Sequence, residues 1–406
     1  MQVLLVFIVV FVLSVLASSR WLLQWGRFFF LAQLSASGLL FLVFGALVGP
    51  HALGLLDVSA LDSARPLLSL ALGVCGLLVG INLEPHILRR LPLRAFVASA
   101  VQSGAAFVAV CLPMAVMLWL NTPPDLAGVG GAAVMLGAAA SVSSAHFAVL
   151  WYRSGRMEHL RGLSVALVAM LDDMFGLAVL ALALVFASAI SPALGLGLVA
   201  LAILLGLTCG ALIAYLIHGV EDGAELTAIL LGGAALVAGA AAFLRVSGLL
   251  AGVMCGATLA LVGGTHAARA FRALGKVERP TYLLLLFLIG AHLDATDWKA
   301  WAVLPVFVAL RFLGKVVGGR MASTAARGVL RFPRELGYAL VAQGGLSLCM
   351  AIEYLLLVPR AESQLVFGVV VIGALVNEVL GARTIGLSTA RATRPPARPV
   401  RPREAA

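Results

Sequence analysis

This chain has little charge. Only 11% of its 406 residues are Asp, Glu, Lys or Arg, against roughly a quarter in soluble domains, and 62% are apolar. That balance excludes a disordered chain and an ordinary soluble domain. Alternating polarity over segments of about ten residues is also missing, which excludes a transmembrane barrel. Neither HExxH nor GxSxG occurs, so the chain offers no zinc-hydrolase helix and no nucleophile elbow with its base, and an intramembrane enzyme is not expected. The five cysteines (Cys75, Cys111, Cys209, Cys255, Cys349) lie inside apolar runs without metal-ligand spacing. They read as packing residues.

What remains is a polytopic, all-α membrane protein. Breaks at charged, Pro and Gly-rich stretches leave about 13 apolar spans, each near the roughly 20 residues a bilayer requires. They cover approximately 3–18, 28–49, 66–83, 95–119, 128–150, 162–188, 194–217, 224–243, 247–264, 281–294, 298–319, 336–357 and 364–387. No basic residue precedes the first, which reads as a retained helix. The net charge of +10 reflects membrane boundaries, so no nucleic-acid partner is needed.

Lys and Arg crowd onto the connections after odd-numbered spans, for example Arg89, Arg90 and Arg94, or Arg269, Arg272, Lys276 and Arg279. After even-numbered spans there are only Arg65, Arg245, Lys299 and Arg360. By the positive-inside rule the N-terminus lies outside and the C-terminus in the cytoplasm. The Arg/Pro-rich stretch 389–406 is expected to be a disordered basic tail behind a transmembrane domain spanning 1–388.

The two halves of that domain resemble one another. SGLL at Ser37 returns at Ser247, and LLVGINLE returns as LFLIGAHLD with Gly80 against Gly290, both 210 positions later. LDDMFG at Leu171 returns as VNEVLG at Val376, 205 positions later. Partners are seven spans apart, and an odd number reverses direction. The pattern predicts two inverted-topology repeats, about 1–188 and 224–388, as in secondary transporters.

A charge at the centre of a membrane helix costs about 2.5–3.5 kcal/mol on insertion scales and persists mainly where it lines a cavity or handles ions. The candidates are Asp172 and Asp173 in the sixth span, Arg311 and Lys315 in the eleventh, and Glu378 in the thirteenth. Adjacent acids project about 100° apart on a helix, so one can face an ion while the other meets a cation from a neighbouring helix. Two like charges so close do not easily both stay ionised, which suits exchange of a proton for a metal cation. A buried ion pair that only fixes helix register is the competing reading, and it leaves the second acid unexplained.

ASVSSAH (Ala140 to His146) and AQGGLSL (Ala342 to Leu348) interrupt the fifth and twelfth spans. Such runs suit broken helices crossing near mid-membrane, whose freed carbonyls and opposed ends can coordinate a cation or stabilise charge; close helix packing by small residues is the alternative. The break residues are Ser141, Ser143 and Ser144 on one side and Gln343, Gly344 and Gly345 on the other. His146 is expected to line the cavity or cap a helix.

By these motifs, with GLLFLVFGALVGPHALGLL near the start and RFLGKVVGG at Arg311 to Gly319, nearly the whole chain resembles the monovalent cation:proton antiporters, including NapA-type sodium/proton exchangers and Kef-type potassium efflux proteins. The resemblance implies a secondary antiporter of the bacterial inner membrane that exchanges a monovalent cation, sodium first and potassium as the alternative, for protons. It implies no cofactor, a homodimer, and a six-helix core rocking against a dimerisation domain. Asp173 would bind the cation and the proton, Asp172 would pair with Lys315 or Arg311, and Ser143 and Ser144 would contribute to the cation site. The paired acids resemble electrogenic members. With no nucleotide-binding domain after the last helix, Kef-type regulation is not expected. Many relatives carry Arg-Gly-Glu where this chain has Gln343, Gly344 and Gly345. Glu378 either replaces the missing acid or pairs with Arg311.

Overall fold

The structure is a computed structural model that describes residues 34, 37–83, 91–121, 126–144, 159–188, 191–325 and 336–392. Those residues form fourteen helices and no strand: α1 Leu39–Val48, α2 Val58–Ser63, α3 Arg65–Asn82, α4 Leu93–Asn121, α5 Leu126–Ser141, α6 His159–Phe186, α7 Pro192–Leu216, α8 Gly223–Leu244, α9 Gly248–Val262, α10 Thr265–Ala291, α11 Trp298–Ala325, α12 Leu336–Ala339, α13 Gly345–Leu357 and α14 Ala361–Ala392. Seven of them contain stretches long and apolar enough to cross a membrane, and α1, α9, α13 and most of α5 form shorter apolar helices. The span expected at 3–18, most of the residues before α1, and His146 lie outside the described residues. So do 393–406, most of the expected tail; α14 continues through Thr389 to Ala392.

Local chemistry marks many of the helix ends. Ser191 accepts the Leu194 N–H at 3.2 Å and is followed by Pro192, so α7 begins with a capped turn and a residue already fixed at helical φ. Asp222 caps α8 through the Ala224 N–H at 3.1 Å, with Glu225 in the first turn against the positive helix end. Ser247 caps α9 through the Leu250 N–H at 3.0 Å.

One sequence expectation needs correction. The basic connection before the tenth span is itself helical: Thr265 to Ala291 form one continuous helix, with Pro280 inside it where the charged half meets the apolar half. Proline removes one internal hydrogen bond without ending a helix that neighbours hold on both sides. In the fifth span, α5 stops at Ser141 and residues 142–144 are not helical, within the ASVSSAH run expected to interrupt it. The second interruption is seen from both sides, with 340–344 lying between α12 and α13.

The helices form two groups. In one, α4 packs on α11 and α5, α5 on α6, and α14 on α11 and α13. In the other, α3 packs on α9, α9 on α7, and α1 and α3 on α10. The groups meet at the α6–α7 connection and where α13 touches α3, α9 and α10.

Backbones approach most closely in the second group, and there the repeated glycines explain themselves. A Cβ at Gly80 of α3 would overlap the Val253 carbonyl oxygen of α9, and one at Gly290 of α10 would overlap the Leu42 carbonyl oxygen of α1. Small residues let apolar helices gain dispersion contact where lipid supplies no hydrophobic drive between them. Gly80 and Gly290 are the pair matched 210 positions apart in sequence, and both do the same job.

Candidate ion-binding site

Where α5 ends, the chain crosses the extended stretch before α13. The Ser144 N–H donates to the Ala342 carbonyl at 3.0 Å. Glycine is required at this crossing, since a Cβ on Gly344 would stand 2.9 Å from the Ser143 carbonyl oxygen and one on Gly345 2.5 Å from the Tyr282 hydroxyl. Ser347 then folds its hydroxyl back onto the Gly344 carbonyl at 2.7 Å and steadies the first turn of α13.

Broken helices leave carbonyls without intrahelical partners, and here α11 supplies the donors. Arg311 reaches across both breaks, donating to Val142 O at 2.8 Å and also to Val341 O. Lys315, one turn later, donates to Ser141 O at 2.5 Å. Both side chains are fully buried. The sequence reading allowed these carbonyls to coordinate the cation; instead they are occupied by protein charges, which leaves less of the backbone free for an ion.

The two neighbouring acids have separate surroundings. Asp172 is fully buried and saturated: Oδ1 accepts Ser99 Oγ at 3.1 Å and Ser103 Oγ at 2.5 Å, and Oδ2 accepts Ser143 Oγ at 2.8 Å and Lys315 Nζ at 3.2 Å. Ser143 is the hinge of this network, donating to Asp172 while accepting from Lys315 at 2.7 Å. Of the two cations that sequence offered to Asp172, Lys315 makes the pair.

Asp173 points another way. It lines a cavity of about 480 Å³ together with Ser143, Ser144, Gln343, Gly344, Tyr282 and Glu378. Its Oδ1 is buried and has no hydrogen-bond partner among the described residues. Gln343 belongs to a small amide pair on the same wall, its Oε1 accepting from Asn377 Nδ2 at 3.1 Å, and its Nε2 is buried without a partner among the described residues. Glu278 and Arg279 also line the cavity.

The structure thus brings together Asp172, Asp173, Ser141, Ser143, Ser144, Lys315, Arg311, Gln343, Gly344, Gly345 and Glu378. Sequence reasoning missed the support from α4. Its signal was present as Ser99, Gln102 and Ser103, a polar stripe at helical spacing within an otherwise apolar span. It also missed Tyr282, for which nothing in the local pattern stood out, and Asn377, although that residue matches Asp172 in the VNEVLG repeat.

Among curated proteins none matches this sequence. Among solved structures the fold is similar to that of the sodium proton antiporter MjNhaP1 from Methanocaldococcus jannaschii at pH 8, with a TM-score of 0.63 and 14% identity over 96% of this chain and 99% of that one. An electron-microscopy structure of the same antiporter superposes with a TM-score of 0.55 and 16% identity over 88% of this chain and 92% of that one. In sequence, residues 36–382 match the family described as sodium/hydrogen exchanger, transmembrane, and the chain belongs to that family of multi-pass membrane proteins that exchange cations for protons.

Proposed function

We propose that the chain exchanges sodium for protons, with Asp173 as the carboxyl that binds each in turn. The observation that carries this reading is the division of labour between adjacent acids. Asp172 is neutralised by Lys315 and three serine hydroxyls, whereas Asp173 presents at a cavity wall a buried oxygen with no partner among the described residues. An intramembrane carboxyl with an oxygen left unbonded among the described residues has reason to persist if something else neutralises it. A monovalent cation does so through charge and a proton through covalent bonding, and competition between the two for one oxygen couples their movements.

Ser143, Ser144 and Gln343 line the same cavity, and they complete the proposed cation site. Glu378 shares the cavity and is the second acid from which such a site could draw charge. In the same reading the two halves are inverted repeats, the group containing α5, α6, α11 and α13 rocks against the group containing α3, α9 and α10, and the protein is a homodimer in a bacterial inner membrane. The distribution of Lys and Arg supports a cytoplasmic C-terminus. Glu278 and Arg279, in the basic half of α10, line the cavity, and in the same reading the cavity opens at that end, toward the cytoplasm.

Purified protein in vesicles, with internal pH followed after adding sodium, lithium, potassium or rubidium in turn, tests this. Proton movement driven by sodium and lithium is expected. Movement driven by potassium and rubidium alone would reassign the cargo to potassium, and none with any cation would overturn the antiport reading.

A further inference from the structure

A second buried carboxyl lies outside the site just described. Glu353 of α13 is 3% exposed, and it faces away from its own group of helices toward the start of α9. Its Oε1 accepts the Leu249 N–H at 2.8 Å and its Oε2 accepts the Ser247 hydroxyl at 3.0 Å. Ser247 in turn accepts the Leu250 N–H at 3.0 Å. One side chain of the ion-site group therefore completes the helix cap of a member of the other group.

Position along α13 gives this contact its meaning. The cavity-lining residues of α13 end at Cys349, and Glu353 lies four residues further along, about 6 Å beyond it. The contact thus lies beyond the cavity, on the side away from Glu278 and Arg279, the end taken above as its mouth. A carboxyl left buried without donors is costly, so parting the two groups at this level is favourable only once water enters and replaces Ser247 and Leu249.

We propose that Glu353, with Ser247 and the first turn of α9, is a latch that holds the cavity closed on the side away from its mouth and must release for the cavity to open there. It is a positioning residue, remote from the transported ions. The proposal rests on the exchange reading for its purpose, but its geometry can be tested without transport.

Cys75 lines the same cavity from α3 and serves as a reporter of sidedness once Cys111, Cys209, Cys255 and Cys349 are replaced by Ala. Sealed membrane vesicles of the two orientations are treated with a membrane-impermeant maleimide. In the parent, Cys75 is expected to react chiefly from the mouth side. Glu353→Gln keeps the shape but loses a charged acceptor, and Ser247→Ala loses one donor without altering α13. Each should raise labelling from the opposite side by about tenfold, the population change expected for a charge-assisted hydrogen bond. Unchanged sidedness in both variants overturns the latch, and so does a lowered melting temperature with unchanged sidedness, which is how a purely structural staple behaves. Should Glu353→Gln fail to fold, Ser247→Ala decides alone. Altered sidedness together with no cation-driven proton movement in the natural protein would support the latch and overturn the antiport reading.

Discussion

Lys315 Nζ stands 3.2 Å from Asp172 Oδ2, with both side chains wholly buried. Such a pair is sustained only because its remaining hydrogen-bond capacity is filled, here by Ser99, Ser103, Ser141 and Ser143. Removing one partner leaves the other charge uncompensated, at a cost of about 3–5 kcal/mol. Lys315→Gln should therefore lower the melting temperature sharply, and adding Asp172→Asn should recover part of the loss, the two residues coupling as direct partners do.

Lysine, unlike arginine, can release its proton in a desolvated setting, so the same substitution addresses electrogenicity. If Lys315 carries a second proton, exchange in the natural protein should respond to an imposed membrane potential, each net charge gaining about 2.3 kcal/mol per 100 mV. Lys315→Gln should weaken that response. A natural protein whose rate ignores a potassium/valinomycin potential would instead exchange one for one and leave Lys315 a counter-ion.

Asp173→Asn should abolish cation-dependent proton movement while leaving the protein folded. The amide neither takes up a proton nor neutralises a cation, yet it keeps the size of a side chain whose Oδ1 bonds nothing among the described residues. Melting within a few degrees of the parent, alongside a flat pH trace in vesicles, is the expected pair of results. Retained exchange would remove Asp173 from the centre of the mechanism.

Gly80→Ala should destabilise the protein by about 1–3 kcal/mol or more, because the added carbon would overlap the Val253 carbonyl and force α3 away from α9. Gly239→Ala in α8 is the control. Nothing lies within 4 Å of a Cβ there, so gaining helix propensity should leave stability unchanged or raise it by up to about 1 kcal/mol. Thermal unfolding in detergent compares the two.

Cys75 of α3 and Cys349 of α13 line the same cavity from the two helix groups. A bifunctional thiol reagent should join them and arrest exchange if the groups must move relative to one another. Cys75→Ala should make the protein insensitive to that reagent. Full activity after demonstrated crosslinking would mean that this boundary stays closed throughout the cycle.

Much of this was legible along the chain, for a physical reason. Apolar length and the placement of Lys and Arg are one-dimensional quantities, and a bilayer imposes them on sequence directly. Acids and bases in the hydrocarbon are rare enough to be conspicuous, so Asp172, Asp173, Arg311, Lys315 and Glu378 could be named before any contact was known. The serine and glycine interruptions stood out in the same way.

What sequence left open was decided by which atoms meet. Periodicity places Arg311 and Lys315 on one helical face and cannot say that one bridges the carbonyls of Val142 and Val341 while the other turns to Asp172. Adjacency of Asp172 and Asp173 predicts different surroundings, but the serines of α4 determine which acid is satisfied and which faces the cavity. Glu353, inside the twelfth span, carried the same signal of an acid in the hydrocarbon and was passed over, and its partners, a hydroxyl and an amide more than a hundred positions earlier, could not be read along the chain. Composition and hydropathy determined that this chain crosses a membrane and handles ions within it. Only packing across distant helices decided which carboxyl is free to do so, since a hydrogen bond depends on separations of about 3 Å that no pattern along the chain encodes.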